Sequence, residues 1–322
     1  MSLLDQLEPH AREYMQRILD AGGRPLPQLS IEVARQYMRD SQTEPIEHLS
    51  VRVRAFENRG VRLTLVRPAD ADDQVLPALI YMHGGGWILG GVDTHARIVR
   101  ELALRACAAV IVPEYSLSPE VRFPVALDQC YGAALWAMKE GVSHHIDPKR
   151  LAVAGDSAGG NLVAAVALRA AQREDVALLL QVLLCPALLA DSSLPSYEAF
   201  GQGLNLTRYD MEWFWSQYVP DLRQHGDAQV SPLLATDADL RNLCPAVIIT
   251  AECDVLRDEG EKYAHRLAKA GVEVTAMRAL GTLHNFCVID ALQRSGPARS
   301  ALHLVGQALS RALHATHVNE RT

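Results

Sequence analysis

The chain has 322 residues, 49% hydrophobic and 21% charged, with a formal net charge of −7. That length can bury one large core or two small ones, and the acidic balance offers no basic footprint for nucleic acid. The most apolar window, VALLLQVLLCPALLA, is too short to span a bilayer and contains a proline. The N-terminus, MSLLDQLEPHAREYMQRILD, lacks the positive start and unbroken apolar core of a secretory signal. Six cysteines, at 107, 130, 185, 244, 253 and 287, show no CxxC spacing and sit among apolar residues. Buried thiols in a reducing cytoplasm are therefore expected.

In chain order, residues 1–45 carry acids and arginines among leucines at helical spacing. HLSVRVRAFENRGVRLTLVRP (48–68) alternates polar and apolar residues, which predicts an antiparallel hairpin or meander. Apolar runs at 78–83, 108–115, 150–155, 178–184, 245–250 and 272–278 read as buried strands. THARIVRELALRAC, VALDQCYGAALWAMKE, GGNLVAAVALRAAQR and EKYAHRLAKAG lie between them, with apolar residues three and four apart. The last stops at Gly271, a suitable helix end. This alternation predicts an α/β fold, a mostly parallel central sheet with helices on both faces. Residues 188–230 break the rhythm with the aromatic helix LTRYDMEWFWSQYV. The expected organisation is a helical cap at 1–45, core at 46–187, a second cap segment at 188–230, and core again at 231–322.

LAVAGDSAGGNL (151–162) stops a strand at Gly155-Asp156-Ser157-Ala158-Gly159 and then turns helical. G-x-S-x-G between strand and helix is the setting of a nucleophile elbow. The strained turn pushes the hydroxyl out above the sheet, and side chains two residues to either side would collide. The following helix aims unpaired N–H groups at the same spot. A plain glycine-rich turn is the competing reading. Asp156 is expected to brace the turn rather than to transfer protons.

A serine hydroxyl needs a base, and the base needs an orienting acid. Of the histidines beyond Thr250, His265 falls within a helix, and His303, His314 and His317 lie in or after the terminal helical stretch. His284, in ALGTLHNF, occupies a loop after a strand and is the expected base. Among Glu252, Asp254, Asp258 and Glu259, the last two belong to the next helix start. Asp254 is the first choice of acid and Glu252 the second. YMHGGGWILGG (81–91) also follows a strand, and consecutive glycines let backbone N–H groups approach a developing oxyanion, with the Ala158 N–H as a third donor. A phosphate cradle would call for G-K-[ST] or GxGxxG, and neither is present.

H-G-G-G-W (83–87), G-D-S-A-G-G (155–160), D-V-L-R-D-E (254–259) and H-N-F (284–286) follow one another in an order that resembles the hormone-sensitive-lipase-like branch of the α/β-hydrolases, chiefly bacterial carboxylesterases. The likeness covers nearly the whole chain. It implies the α/β-hydrolase fold and a serine esterase for short- to medium-chain acyl esters, with no cofactor and no metal. Ser157 would be the nucleophile, Asp254 the acid and His284 the base. Gly85, Gly86 and Ala158 would supply the oxyanion N–H groups, with His83 and Gly84 supporting that loop. The expected partner is a small ester, with no nucleic acid and no membrane span; a homodimer is the assembly the likeness allows.

Two departures stand out. The family's H-G-F reads H-N-F, placing Asn285 beside the alcohol side of the site, and its D-Y-R-L-A-P-E reads E-Y-S-L-S-P-E (114–120), with Ser116 for the arginine. Trp87, Trp213, Phe214 and Phe286 are candidate pocket residues, against the alternative that such aromatics simply pack a cap onto a core. His144-His145 precede DPKR with no third metal ligand in view, and Cys253 and Cys287 flank the acid and the base. Amide, lactone or carbamate cleavage uses the same triad, and a binding protein on the same fold is the alternative from another class.

Overall fold

The structure is a computed structural model that describes residues 2–22, 25–42 and 49–315. The expected boundary between residues 45 and 46, and His317, lie outside the described residues. In chain order the elements are α1 (Pro9–Asp20), α2 (Ile31–Asp40), β1 (Val51–Asn58), β2 (Val61–Pro68), β3 (Leu76–Met82), α3 (Ala96–Ala106), β4 (Ala109–Pro113) and α4 (Val125–Glu140). There follow β5 (Ile146–Asp156), α5 (Ala158–Arg173), β6 (Leu180–Leu184), α6 (Pro195–Phe200), α7 (Arg208–Tyr218), α8 (Asp237–Leu240), β7 (Ala246–Cys253), α9 (Arg257–Lys269), β8 (Val274–Leu283) and α10 (Gly296–His314).

The strands form one sheet in the order β1-β2-β4-β3-β5-β6-β7-β8. The pairs β1/β2 and β2/β4 are antiparallel, and every pair from β4 onward is parallel. This is the alternating pattern expressed physically: apolar strands buried on both faces need helical crossovers to cover them. β3, β4 and β6 are buried along their whole length, whereas the edge strand β1 is largely exposed. α5 is buried from Ala158 to Ala170 and so lies over the middle of the sheet. Parallel strands share one carboxyl edge, where ligands bind in such sheets. His83, Ser157, Asp254 and His284 each directly follow a strand and so meet at that edge.

Two strands run further than their apolar cores suggest. β7 continues through Cys253 and β8 through Leu283, which brings each strand's last residue next to a site residue. The segment between β6 and β7 carries α6, α7 and α8, and α7 opens on a capping box of Thr207 and Asp210. From the N-terminal segment, Arg35 on α2 donates to the carbonyls of Ile88 and Ser118 and pairs with Glu120 through both terminal nitrogens. Ser116 is tied to the side chain of Gln129 on α4: its N–H donates to Gln129 Oε1 at 2.7 Å, and its hydroxyl accepts from Gln129 Nε2 at 2.9 Å.

The turn from β5 into α5 is the tightest point of the sheet. A Cβ on Gly159 would run into the Met82 carbonyl, and one on Gly155 would stand 2.6 Å from both the Met82 and Gly159 carbonyls. Gly159→Ala is therefore expected to lower unfolding stability by about 1–3 kcal/mol, the usual cost of forcing a carbon into a filled core. Urea denaturation measures this, and an unchanged midpoint would contradict the packing described.

Candidate active site

Ser157 has φ 53° and ψ −118°, a conformation that L-residues rarely adopt. It is held there from three sides. Its N–H donates to Leu184 at 2.8 Å, and its carbonyl accepts from Asn161 and Ala187 at 3.1 Å each. The hydroxyl is thereby fixed at the top of the sheet, at the N-terminus of α5, and the residue is 6% exposed.

His284 Nε2 stands 3.0 Å from Ser157 Oγ, and His284 Nδ1 stands 2.8 Å from Asp254 Oδ2. A carboxylate only accepts, so Nδ1 carries the proton and Nε2 presents its lone pair to the serine hydroxyl. The other carboxylate oxygen, Asp254 Oδ1, accepts the Leu256 N–H at 2.9 Å. Both oxygens are satisfied, and the carboxylate is buried. The three side chains are spatially consistent with a catalytic triad.

What aligns acid and base is a slip in strand register. Ala251 pairs with Ala279, yet two residues later Cys253 pairs with Leu283, so β8 accommodates two extra residues. The next residues on the two strands are Asp254 and His284. An even register would leave the histidine opposite a residue in the turn into α9. Gly281, at φ 67°, sits in this bulge and donates its N–H to Glu252 Oε2 at 2.7 Å. Glu252, the second choice of acid, thus holds the bulge and makes no bond to the imidazole. Asp258 and Glu259 lie in the first turn of α9, and Glu259 accepts from the N–H groups of Leu188 and Leu189.

The glycine loop lies against Ser157's neighbour. Asp156 Oδ1 accepts the Tyr81 hydroxyl at 2.7 Å and the Gly84 N–H at 3.0 Å, and Oδ2 accepts the Asn285 amide at 2.8 Å. Gly84's N–H is therefore occupied. The N–H groups of Gly85, Gly86 and Ala158 carry no hydrogen bond among the described residues. Gly85 has φ 112°, and a Cβ there would meet the Leu89 carbonyl. His83 Nδ1 donates to the Gly84 carbonyl at 2.8 Å, and the ring stacks on Tyr115. Burial, followed by the charge of His95, pushes the His83 pKa down to about 4, which leaves it a neutral anchor.

The aromatic residues divide into two groups. Trp87 is 1% exposed, stacked on Tyr218 at 4.5 Å and packed against Trp215. A candidate pocket residue, it lies within this aromatic cluster, and Phe286 is likewise 1% exposed. Large apolar rings gain more from complete burial than from a wet wall, and sequence alone does not say which ring faces which way. Phe214 packs directly on Gly86, where a Cβ would overlap its ring, and Trp213 beside it is half-buried.

The cysteines are all free, with four buried, but Cys107 is exposed at the end of α3 and Cys244 is only partly covered, contrary to the expectation that all six are buried. Burial raises Cys253 to about 11 and Cys287 to about 12, so neither is an active thiolate. Cys185, Asp254 and His284 place one donor atom each within 4.8 Å of one another. Burial and the charge of Asp254 hold the Cys185 thiol well above the ordinary range, so its metal-binding thiolate form is disfavoured. His144 packs against Phe56 and Trp136 as an aromatic filler. Arg97, on α3, is a residue that sequence reasoning missed. Almost wholly buried, it donates to Asp290 at 2.7 Å and to the carbonyls of Cys287 and Val288, clamping the loop beyond the histidine. Its place on a helix otherwise read for its apolar stripe gave no signal.

A family model described as alpha/beta hydrolase fold matches residues 79–288. The chain is 36% identical to an ethyl acetate hydrolase of Pseudomonas putida over 324 residues, covering 95% of this chain and 99% of that one. It is 37% identical to the carboxylesterase NlhH of Mycobacterium tuberculosis over 295 residues, covering 88% and 90%. The crystal structure of a thermostable esterase from Pseudomonas putida ECU1011 superimposes with a TM-score of 0.93 at 37% identity, covering 97% and 99% of the two chains. The chain belongs to the α/β-hydrolase family that contains the hormone-sensitive-lipase-like esterases. Within that family it is a carboxylic-ester hydrolase. No helix among the described residues is long and apolar enough to cross a membrane.

Behind the glycine loop, His95 Nε2 stands 3.4 Å from both Asp156 oxygens, and its Nδ1 faces the Gly91 carbonyl and the Thr94 hydroxyl. Burial opposes a charge on His95, but Asp156 outweighs it and raises the pKa above 6.5. Burial likewise opposes the Asp156 carboxylate, but His95 and Tyr81 outweigh it and lower that pKa below 3.8. A raised histidine stabilises the fold below its unfolded value and loses that contribution as pH rises through its folded value; a lowered aspartate contributes above its unfolded value. The pair therefore stabilises most between 3.8 and 6.5. The melting-temperature gap between the native protein and His95→Gln is expected to be widest in that window and to narrow at higher pH. A gap independent of pH across thermal scans would refute this.

Proposed function

We propose that this enzyme hydrolyses short- to medium-chain acyl esters through an acyl-enzyme. His284 takes the proton of Ser157 as the hydroxyl attacks the ester carbonyl, and it returns that proton to the departing alcohol. Water then attacks the acyl carbonyl, giving its proton to the same imidazole; the bond to Ser157 Oγ breaks, the acid leaves, and His284 returns the proton to Ser157. Asp254 fixes the tautomer and stabilises the imidazolium. The N–H groups of Gly85, Gly86 and Ala158 receive the oxyanion of each tetrahedral intermediate. The observation that carries this reading is the continuous relay from Asp254 Oδ2 through His284 to Ser157 Oγ, at 2.8 and 3.0 Å, beside three unengaged backbone donors. Ser157→Ala is expected to lower kcat on p-nitrophenyl acetate about 10⁵-fold or more, and to abolish labelling by a fluorophosphonate probe. Wild-type turnover by that variant would end the proposal.

We infer that the helices of 1–45 and 188–230 act as a cap over the carboxyl edge, with Phe214 closing the acyl side. Its ring on Gly86 supports a shallow pocket next to the oxyanion donors. Trimming it to alanine removes several carbons of wall. In a series of p-nitrophenyl esters, Phe214→Ala is expected to move the optimum toward longer chains by about two carbons or more. The extra room adds about 0.8 kcal/mol of apolar burial for each methylene admitted. A chain-length profile unchanged from the native enzyme would place the acyl group elsewhere.

A further inference from the structure

Asn285 directly follows His284 and sits at φ 57°, in the left-handed region that favours glycine. An asparagine there bears backbone strain that glycine avoids, and its side chain makes a compensating contact. What it makes is a 2.8 Å hydrogen bond from its amide nitrogen to the buried carboxylate of Asp156. A carboxylate cannot donate, so the amide is oriented with its nitrogen toward Asp156. The bond is charge-assisted and among the stronger kinds.

The same carboxylate holds the Gly84 N–H through its other oxygen, and Gly84 is bonded covalently to the first glycine of the proposed oxyanion pair. One buried group thus links the histidine loop to the glycine loop. Other anchors on the histidine loop lead elsewhere. Asn205 donates to the His284 carbonyl at 2.9 Å from the segment between β6 and β7, and Arg97 holds Cys287 and Val288 from α3. Asn285 is the anchor that ends on the neighbour of the proposed nucleophile.

We propose that Asn285 is a positioning residue, tying the backbone that carries His284 to Asp156 and through it to the glycine loop, so that base and oxyanion donors keep one spacing. The proposal rests on the roles assigned above to Ser157, His284, Gly85 and Gly86. Because catalysis is sensitive to errors of an ångström, losing the tie acts on kcat and leaves substrate binding nearly intact.

The test uses Asn285→Gly, Asn285→Asp and the double variant Asp156→Asn/Asn285→Asp, with kcat expressed per active site titrated by fluorophosphonate. Ser157→Ala and the native enzyme are measured beside them, so failure of the underlying assignment shows in those two proteins and not in the Asn285 series. Asn285→Gly relieves the strain and is expected to keep its melting temperature and its KM within about twofold, while kcat falls about tenfold. Asn285→Asp, with carboxylate facing carboxylate, is expected to fall further. The double variant exchanges the two groups, so that an amide at position 156 faces a carboxylate at position 285. The carbonyl oxygen of that amide can still accept from Tyr81 and Gly84 while its nitrogen donates across the gap, and His95, without its carboxylate partner, is neutral with Nε2 able to accept from that nitrogen. This variant is expected to recover most of the kcat lost by Asn285→Asp. A kcat per titrated site in Asn285→Gly equal to the native value overturns the proposal. So does a double variant no better than Asn285→Asp.

Discussion

At the turn after β5, backbone lies directly on backbone: Gly155 and Gly159 press against the carbonyl of Met82 at the end of β3. That contact can exist only if neither position bears a side chain, and it fixes how far Ser157 stands above the sheet. Ser157 keeps its positive φ because Leu184, Asn161 and Ala187 bind its peptide groups from β6, α5 and the following loop. The strain is local, and the constraint that maintains it is spread over three elements. The position of α5, the unpaired N–H of Ala158 and the approach of the glycine loop all follow from it.

Charge is buried at the candidate site. The Asp254 carboxylate and the Asp156 carboxylate are both removed from solvent, and both have each oxygen occupied by donors. A buried carboxylate left without donors would be costly, and hydrogen bonds to each oxygen offset that cost. Asp254 orients one imidazole. Asp156 gathers a phenol, a peptide N–H, an amide and a second imidazole. Neighbours in the same fold, the two carboxylates thus serve different ends because their donors differ.

Much of the candidate site was legible in the chain. The elbow glycines, Ser157, the glycine loop and the strand-helix alternation are local features, encoded by residues adjacent in sequence and governed by local sterics. Asp254 and His284 could be ranked because acid and base must sit in loops after strands. Their alignment could not be read, since it depends on two extra residues in β8 and on Glu252 bonding Gly281, a contact across 29 positions. The surroundings of Trp87 and Phe286 could not be read for a related reason: ring chemistry is written in the sequence, but the direction a ring faces is set by its neighbours in space. Arg97 left no trace because a buried arginine is recognisable only from the carbonyls it meets.

By itself the sequence determined the class of fold, the candidate nucleophile and the flexibility of the peptide beside it, because these depend on periodicity and on residues a few positions apart. Tertiary structure alone decided the register between β7 and β8, the sharing of Asp156 between two loops and the burial of each aromatic ring. These are relations between distant segments, and their energies arise only when packing has excluded water and brought the partners within hydrogen-bond reach.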